Sequence, residues 1–355
     1  MFSAHIHDTL SGAHLLSVRV QDLSWSSKLD GSAAPSAAIP VRSLGIPRAV
    51  SRDLFRANAR TLVVADEFGT VAAAGVMLTP KYDLSAGTVS VQTVDVREFL
   101  RQRLGLGVDQ WGPSWNLTVT GRSLSGAARA IIRRGVAEGG PFWNLPVDLP
   151  PDGSGSFTRT WPFYGFATLD DMLREVEAEG AEVFFDPYLT GGSLRWAARV
   201  GSPIVGASFD LTVTAPGSRV VGLTVTEDGS KQLTGVIYAG NGMDADKVTA
   251  YAGSGPYDIP IRDAYRSMID VRDPAQLGRI AAAELARYRN PLVQWSFSVQ
   301  LDDTVRAEHV KPGRLLRMDV RRDDWIPDGV YTQRVIGASG GTGNRVSVEV
   351  QAYGG

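Results

Sequence analysis

The sequence predicts an α+β, mainly β fold, in which two small antiparallel β-barrels flank an α+β segment and a helical insertion at about 241–291 interrupts the second barrel. Three observations carry this reading. Short β-branched runs bounded by turn residues crowd both ends of the chain, helical apolar patterns cluster between 124 and 176, and a lone helix start stands among the C-terminal strands. At roughly 100–200 residues per domain, 355 residues divide into 1–108, 109–205 and 206–355.

In chain order, runs 15–21, 61–65, 71–78 and 88–94 read as strands. In the last of these, Val89, Val91 and Thr93 alternate with Thr88, Ser90 and Gln92, the period of a half-buried strand. Asp66-Glu67-Phe68-Gly69-Thr70 fits a hairpin loop, 52–59 a short helix, and 28–40, rich in Ser, Ala, Gly and Pro, a long loop. A second short helix is expected over 97–104. Leu124, Ala127, Ala128, Ile131, Ile132 and Val136 then form the stripe of an amphipathic helix. Thr168 with Asp171 makes a capping box before Leu169, Met172, Leu173 and Val176, and Gly180 ends that helix. Runs 181–186 and 193–196 form a hairpin around Gly191-Gly192. Strand 220–227 is expected to pair with 232–238 across Asp228-Gly229-Ser230. Asp273-Pro274-Ala275-Gln276 opens a helix that runs to Asn290-Pro291, and strands resume at 293–301, 314–321, 329–336 and 345–352.

Composition excludes several functions. The hydrophobic share of 43% and charged share of 21% belong to a folded globular chain. A net charge of −2 argues against a strongly basic nucleic-acid grip. The absence of cysteine removes disulfide scaffolds, thiolate metal sites and cysteine nucleophiles. No apolar run approaches the ~20 residues of a membrane helix, and the first residues lack a secretory signal pattern, so a soluble chain made without export is expected. Five of the 36 basic residues are Lys and the rest Arg, a bias that fits a GC-rich genome.

The chemical motifs are weak. His5 and His7 share one face of a strand, but no third metal ligand follows at a recognisable spacing, and His309 reads as a surface-loop residue. No G-x-S-x-G elbow supplies a nucleophile. Asp170-Asp171, Asp302-Asp303 and Asp323-Asp324 read as helix-start and turn residues. Gly340-Gly341-Thr342-Gly343-Asn344 lies between strands and lacks a Lys, so it is a hairpin loop and not a phosphate cradle. No catalytic, cofactor-binding or metal-binding residue is assigned.

One region stands out. Nine of the 58 residues from 109 to 166 are aromatic, against 30 in all 355, and many lie in the irregular 139–165 stretch. They suit a stacking platform for sugar or single-stranded nucleic acid, a self-packed loop, or a protein contact. An interaction surface is the preferred reading, with Trp143, Trp161, Phe163 and Tyr164 as the candidate loop residues.

The order of elements resembles the baseplate hub, or minor tail, proteins of long-tailed, siphophage-type phages, especially those of actinobacterial hosts, whose fold is shared with contractile injection machines. The likeness rests on several stretches. Thr93-Val94-Asp95-Val96-Arg97-Glu98-Phe99-Leu100 resembles the exit from the first barrel, and Leu117-Thr118-Val119-Thr120-Gly121-Arg122-Ser123-Leu124 the entry to the α+β helix. Thr168-Leu169-Asp170-Asp171-Met172-Leu173 is similar to the second helix, and 220–238 to the hairpin entering the second barrel. Lys311-Pro312-Gly313-Arg314-Leu315 and Asp328-Gly329-Val330-Tyr331 resemble its closing strands. The resemblance implies a non-enzymatic homotrimer at the virion tail tip, made in the host cytoplasm, whose tail-tube-like barrels surround a channel for DNA and the tape-measure protein. The distal tail protein and other tip proteins are the implied partners, with no cofactor, no stable nucleic-acid binding and no membrane segment. Strands near 89–94, 220–238 and 293–301 are the implied channel wall. Because the chain stops after its last strand, envelope-cutting activity is expected on another protein. The alternatives are a carbohydrate-binding or carbohydrate-cleaving tail protein using the aromatics with Asp148 or Asp152, and a spike-type hub of a contractile injection machine.

Overall fold

The computed structural model describes residues 1–31, 34–106, 111–138, 143–253, 255, 258–269 and 271–354. The expected boundary at 108 and the start of the 139–165 stretch, including Phe142, lie outside the described residues.

The chain opens with β1 (Phe2–Asp8), β2 (His14–Val18), β3 (Asp22–Lys28), β4 (Ser36–Pro40), α1 (Arg48–Leu54), β5 (Arg60–Asp66), β6 (Val71–Asp83) and β7 (Thr88–Val94). All of β5 and the first seven residues of β6 are buried, as in strands covered on both faces. Asp66 turns the chain between them, its Oδ1 accepting the Phe68 and Thr70 amides at 3.0 and 2.8 Å. The 28–40 segment is not a loop throughout. Ser36–Pro40 is β4, paired with β3 and β7, and buries Ala37 and Ile39 on alternate positions. Its small residues read as turn-like in sequence, while the pairing partners that make it a strand lie far away in the chain. The short helix sits earlier than 52–59, because Pro47 starts it.

Next come α2 (Glu98–Gln102), β8 (Leu117–Arg122), α3 (Leu124–Val136), β9 (Val147–Asp148), β10 (Phe157–Trp161), α4 (Leu169–Ala178), β11 (Glu182–Thr190) and β12 (Ser193–Gly201). Ser123 Oγ accepts the Gly126 amide at the start of α3, and Thr168 and Asp171 cap α4 reciprocally. One core holds Ile131, Ile132, Leu169, Leu173 and Trp196 together with Val63 and Val71 of the first sheet. Gly12, at φ +72°, abuts β12: its carbonyl accepts the Leu194 amide at 2.8 Å, and a Cβ there would fall 2.1 Å from the Leu194 oxygen.

The remainder runs β13 (Ser208–Thr212), β14 (Val220–Asp228), β15 (Gly235–Ala239), β16 (Thr249–Ala252), β17 (Asp263–Ser267), α5 (Pro274–Tyr288), β18 (Leu292–Gln300), β19 (Leu315–Val320), β20 (Gly329–Gly340) and β21 (Arg345–Ala352). Contacts divide the chain into Met1–Gly222 with Phe297–Gly355, and Leu223–Ser296. In the smaller unit β15 lies between antiparallel β16 and parallel β17, and Leu277 and Ala281 of α5 cover Val236 and Tyr238. The expected hairpin between 220–227 and 232–238 does not form. β14 pairs with β18, while the Leu233 amide donates to Tyr288 O at the end of α5 and draws 232–238 to the helix.

Among the described residues the expected closed barrels do not form; the strands make one 13-stranded sheet, in the order β14-β18-β21-β20-β3-β4-β7-β6-β5-β1-β2, with β19, and β13 beyond it, on the same edge of β20 as β3. β20 is the hinge of this arrangement. Residues 329–334 pair with β19; after a register shift between Val335 and Gly337, residues 337–340 pair with β3 instead. A bulge adds twist and bends a strand. The β20–β3 pairing joins the N-terminal and C-terminal strands in one sheet.

Two guanidinium forks tie the α+β elements to both halves of the sheet. Arg97, 5% exposed, donates to both oxygens of Glu177 on α4 at 2.7 and 2.8 Å and to Asp170 at 2.5 Å. Arg334 on β20 donates to both oxygens of Glu182 on β11 at 2.6 and 2.9 Å, and Glu182 also accepts the Ile204 amide. Beside Arg97, burial pushes the Asp95 carboxyl up to about 6 against the Arg97 amide that bonds it.

Removing one member of a buried pair strands the other, so Arg97→Ala is expected to lower unfolding free energy by about 3–5 kcal/mol in urea titrations. Asp95→Asn has the opposite sign. The ionised carboxylate opposes folding above its folded pKa of about 6, so the variant gains up to about 3 kcal/mol at pH 7.5. That gain shrinks as pH falls through 6 and vanishes below 3.8, where both states carry the proton.

Candidate functional site

The aromatic stretch is sorted by two strands and a turn. β10 pairs antiparallel with β8, setting Trp161 opposite Leu117. Phe157 and Trp161 stack at 6.3 Å, and Trp161 is 4% exposed in the core of α3 and α4. The expectation that 139–165 lacks regular structure is therefore corrected at β9 and β10, and Trp161 belongs to the core and not to a surface loop. Its neighbour across the strand supplies the reason: with Leu117 half-buried, that face of the ladder points inward.

After Pro162 the chain makes one tight turn, Phe163–Gly165. The Phe163 amide donates to Asn116 Oδ1 at 2.9 Å, and Gly165 N to Pro162 O at 3.0 Å. Phe166 follows at φ +48°, a left-handed conformation uncommon for a bulky residue. The turn brings Phe163 and Phe166 to one side, where both meet Trp111, at 4.5 Å edge-on and 5.6 Å stacked. Tyr164 meets Phe163 at 5.4 Å. Trp111, Tyr164 and Phe166 are 62%, 65% and 54% exposed, so four rings form one surface cluster. Trp143 lies apart, half-buried, its carbonyl accepting from Arg103 at 2.8 Å and its ring 5.5 Å from that guanidinium. Of the four aromatics singled out from sequence, Phe163 and Tyr164 come together at the surface. Trp111 and Phe166 complete the cluster; the signal for Phe166 was the Pro162…Gly165 turn spacing, which sets Phe163 and Phe166 on one side, whereas Trp111 joins them by a contact distant in sequence.

The other polar groups are committed elsewhere. Asp148 accepts from Arg195 and Tyr188, whose hydrogen bonds hold its carboxyl below the usual range. A glycosidase acid needs the opposite shift. Asp152 is gripped by Arg122 at 2.9 and 3.0 Å. Asp171 caps its helix, but Asp170 is buried and bound by Arg97, Arg101 and Arg174. Asp302 and Asp323 accept the amides of the turns they begin, and hydroxyl and amide bonds pull the Asp302 carboxyl down to about 2.

His5 and His7 lie with His14, at 5.8 and 5.2 Å between ring centres. Both nitrogens of His5 are held by Ser3 and Ser17, His7 Nδ1 bonds the Gly12 carbonyl, and burial lowers both pKa values. Among the described residues no group of three or more His, Cys, Asp or Glu is arranged to hold a metal ion, and no helix is long and apolar enough to cross a membrane. His309, read as a surface residue, stacks on Phe209 at 3.9 Å and accepts the Arg306 amide.

Burial separates the aromatics in a way that stability measures. Trp161→Ala is expected to cost about 3–5 kcal/mol, whereas Tyr164→Ser changes stability by no more than about 0.5 kcal/mol. Equal losses in thermal and urea unfolding would contradict the division between core and surface.

No protein-family model matches the sequence, and no curated protein does. Solved structures do match, over nearly the whole chain. A 43 kDa tail protein of prophage MuSo2 from Shewanella oneidensis aligns at TM-score 0.62 and 12% identity, covering 99% of this chain and 98% of its own. The tail protein from Neisseria meningitidis MC58 aligns at 0.57 and 14%, covering 98% and 96%. An Escherichia coli protein, a component of the type VI secretion system with structural similarity to T4 tail proteins gp27 and gp5, aligns at 0.51 and 11%, covering 99% and 77%. The chain has the fold shared by these phage tail and secretion proteins.

Proposed function

We propose that the chain is a structural subunit of a phage tail tip, a baseplate hub in which three copies form a ring that continues the tail tube. The observation that carries this is the end-to-end match to two tail proteins, each covered over 96% or more of its own length. In this reading 1–108 and 206–355 supply tube-like walls, 109–205 lies between them, and DNA and the tape-measure protein pass through the centre. The distal tail protein and other tip proteins bind outside, and the protein resides in the virion.

The exposed positions of the strands proposed as channel wall support a passage that does not trap DNA. β7 exposes Ser90 and Gln92; β14 exposes Thr224 and Thr226 together with the acidic Glu227 and Asp228; β18 exposes Gln294 and Ser296 together with Leu292 and Val293, and none of these is basic. Side chains without positive charge neutralise no phosphates, so they release no counterions and hold no DNA. The surface cluster of Trp111, Phe163, Tyr164 and Phe166 fits a contact with another tip protein, since aromatic rings are favoured at the centre of protein interfaces. A glycan-cutting role finds no support in Asp148 or Asp152, both held as ion pairs. The Escherichia coli match favours a second reading, a hub of a contractile injection machine built on the same fold.

Light scattering on the purified protein over a range of concentrations is the test. A mass three times 38.1 kDa is expected, and a monomer at every concentration would count against the ring.

A further inference from the structure

The larger unit carries an open groove and an exposed knob. The groove, about 1220 Å3, runs between the Val41–Leu44 turn, α1 and the β6–β7 hairpin. Ile46, Phe55, Tyr82 and Leu84 give it apolar walls, and Leu84 stands 74% exposed at its lip. Small-molecule pockets measure about 300–1,000 Å3 and enclose their ligand. This groove is larger and open to solvent, a shape suited to a segment of chain. Its charge is one-sided. Asp53 is engaged by Arg60 and by Arg56 at 3.6 Å, whereas among the described residues neither Arg42 nor Arg52 has an acidic partner.

The knob is the connection between β19 and β20, with Asp323-Asp324-Trp325-Ile326 at its tip. Asp323 Oδ1 accepts the Trp325 and Ile326 amides at 2.9 and 2.7 Å, and Asp328 accepts the Arg322 amide at 2.7 Å. Those bonds fix the loop and hold Trp325 outward at 83% exposure. A tryptophan on a pre-formed turn gives up little freedom on docking, and such rings dominate binding energy at interfaces. Asp324 beside it carries the charge that Arg42 and Arg52 lack.

We propose that residues 323–326 of one copy dock in this groove of a second copy, with Trp325 against Ile46 and Leu84 and Asp324 facing Arg42 and Arg52. The inference rests on the ring reading above and names its contact. Knob and groove are different surfaces of one unit, so each copy offers its own knob to a third. Such a head-to-tail contact closes into a ring when the rotation between copies permits.

A charge swap followed by light scattering tests it. Trp325→Ala and Arg52→Glu alter exposed side chains, so each retains its thermal midpoint, and each raises the concentration needed for association by about tenfold or more. Arg52→Glu combined with Asp324→Arg restores association. A three-copy mass that neither single variant shifts overturns the docking, leaves the ring intact, and assigns the groove to a partner of another kind. Loss in the single variants without rescue in the double overturns the pairing of Asp324 with Arg52. A wild-type monomer at every concentration overturns both ring and docking.

Discussion

The bend in β20 is the constraint on which the larger unit depends. One edge of β20 pairs with β21 on both sides of Ile336; the other edge pairs with β19 before it and with β3, from the first thirty residues of the chain, after it. The two ends of a 355-residue polypeptide are thus held in one ladder, and neither half has to close on itself. Closing a loop of that length is entropically expensive, and only contacts formed on both sides of the seam offset it. Trp25 of β3 illustrates the coupling: it is buried against Phe2 at 4.8 Å, and its indole donates to Gly341 O just beyond β20.

With the halves joined, the α+β elements are held by charge as well as by apolar packing. Arg97 follows the last strand of the N-terminal half and grips α4; Arg334 stands just before the bulge and grips β11. Forked guanidinium–carboxylate pairs fix orientation as well as distance. Lys311 adds a third tie, to Asp186 at 2.6 Å and to Pro187 O at 3.0 Å. The polar residues that looked chemically suggestive are consumed in these links and in turns. What remains unsatisfied on the larger unit is surface: the aromatic cluster around Trp111, the groove beside α1, and the Trp325 knob.

Much of this was legible in the sequence where the determinants are local. The Ser123 and Thr168 caps, the Asp273-Pro274 start and the Gly191-Gly192 turn each depend on a few adjacent residues, and each stands where the residue pattern sets it. Illegible were the features that depend on distant partners. β4 is a strand because β3 and β7 flank it, and 232–238 leaves β14 because α5 offers it a core. In the aromatic stretch density was visible but direction was not: Trp161 and Tyr164 stand three residues apart, yet one points into the core and the other into solvent. The β8–β10 register decides that difference, and a single sequence does not encode it locally.

The proposed function requires that copies of this chain close around an open channel. Electron-microscopic class averages of the purified, unlabelled protein at concentrations where it associates test that most directly. A ring of three copies gives particles with threefold rotational symmetry and a central hole. Associated particles that are twofold, or that lack a hole, would contradict it.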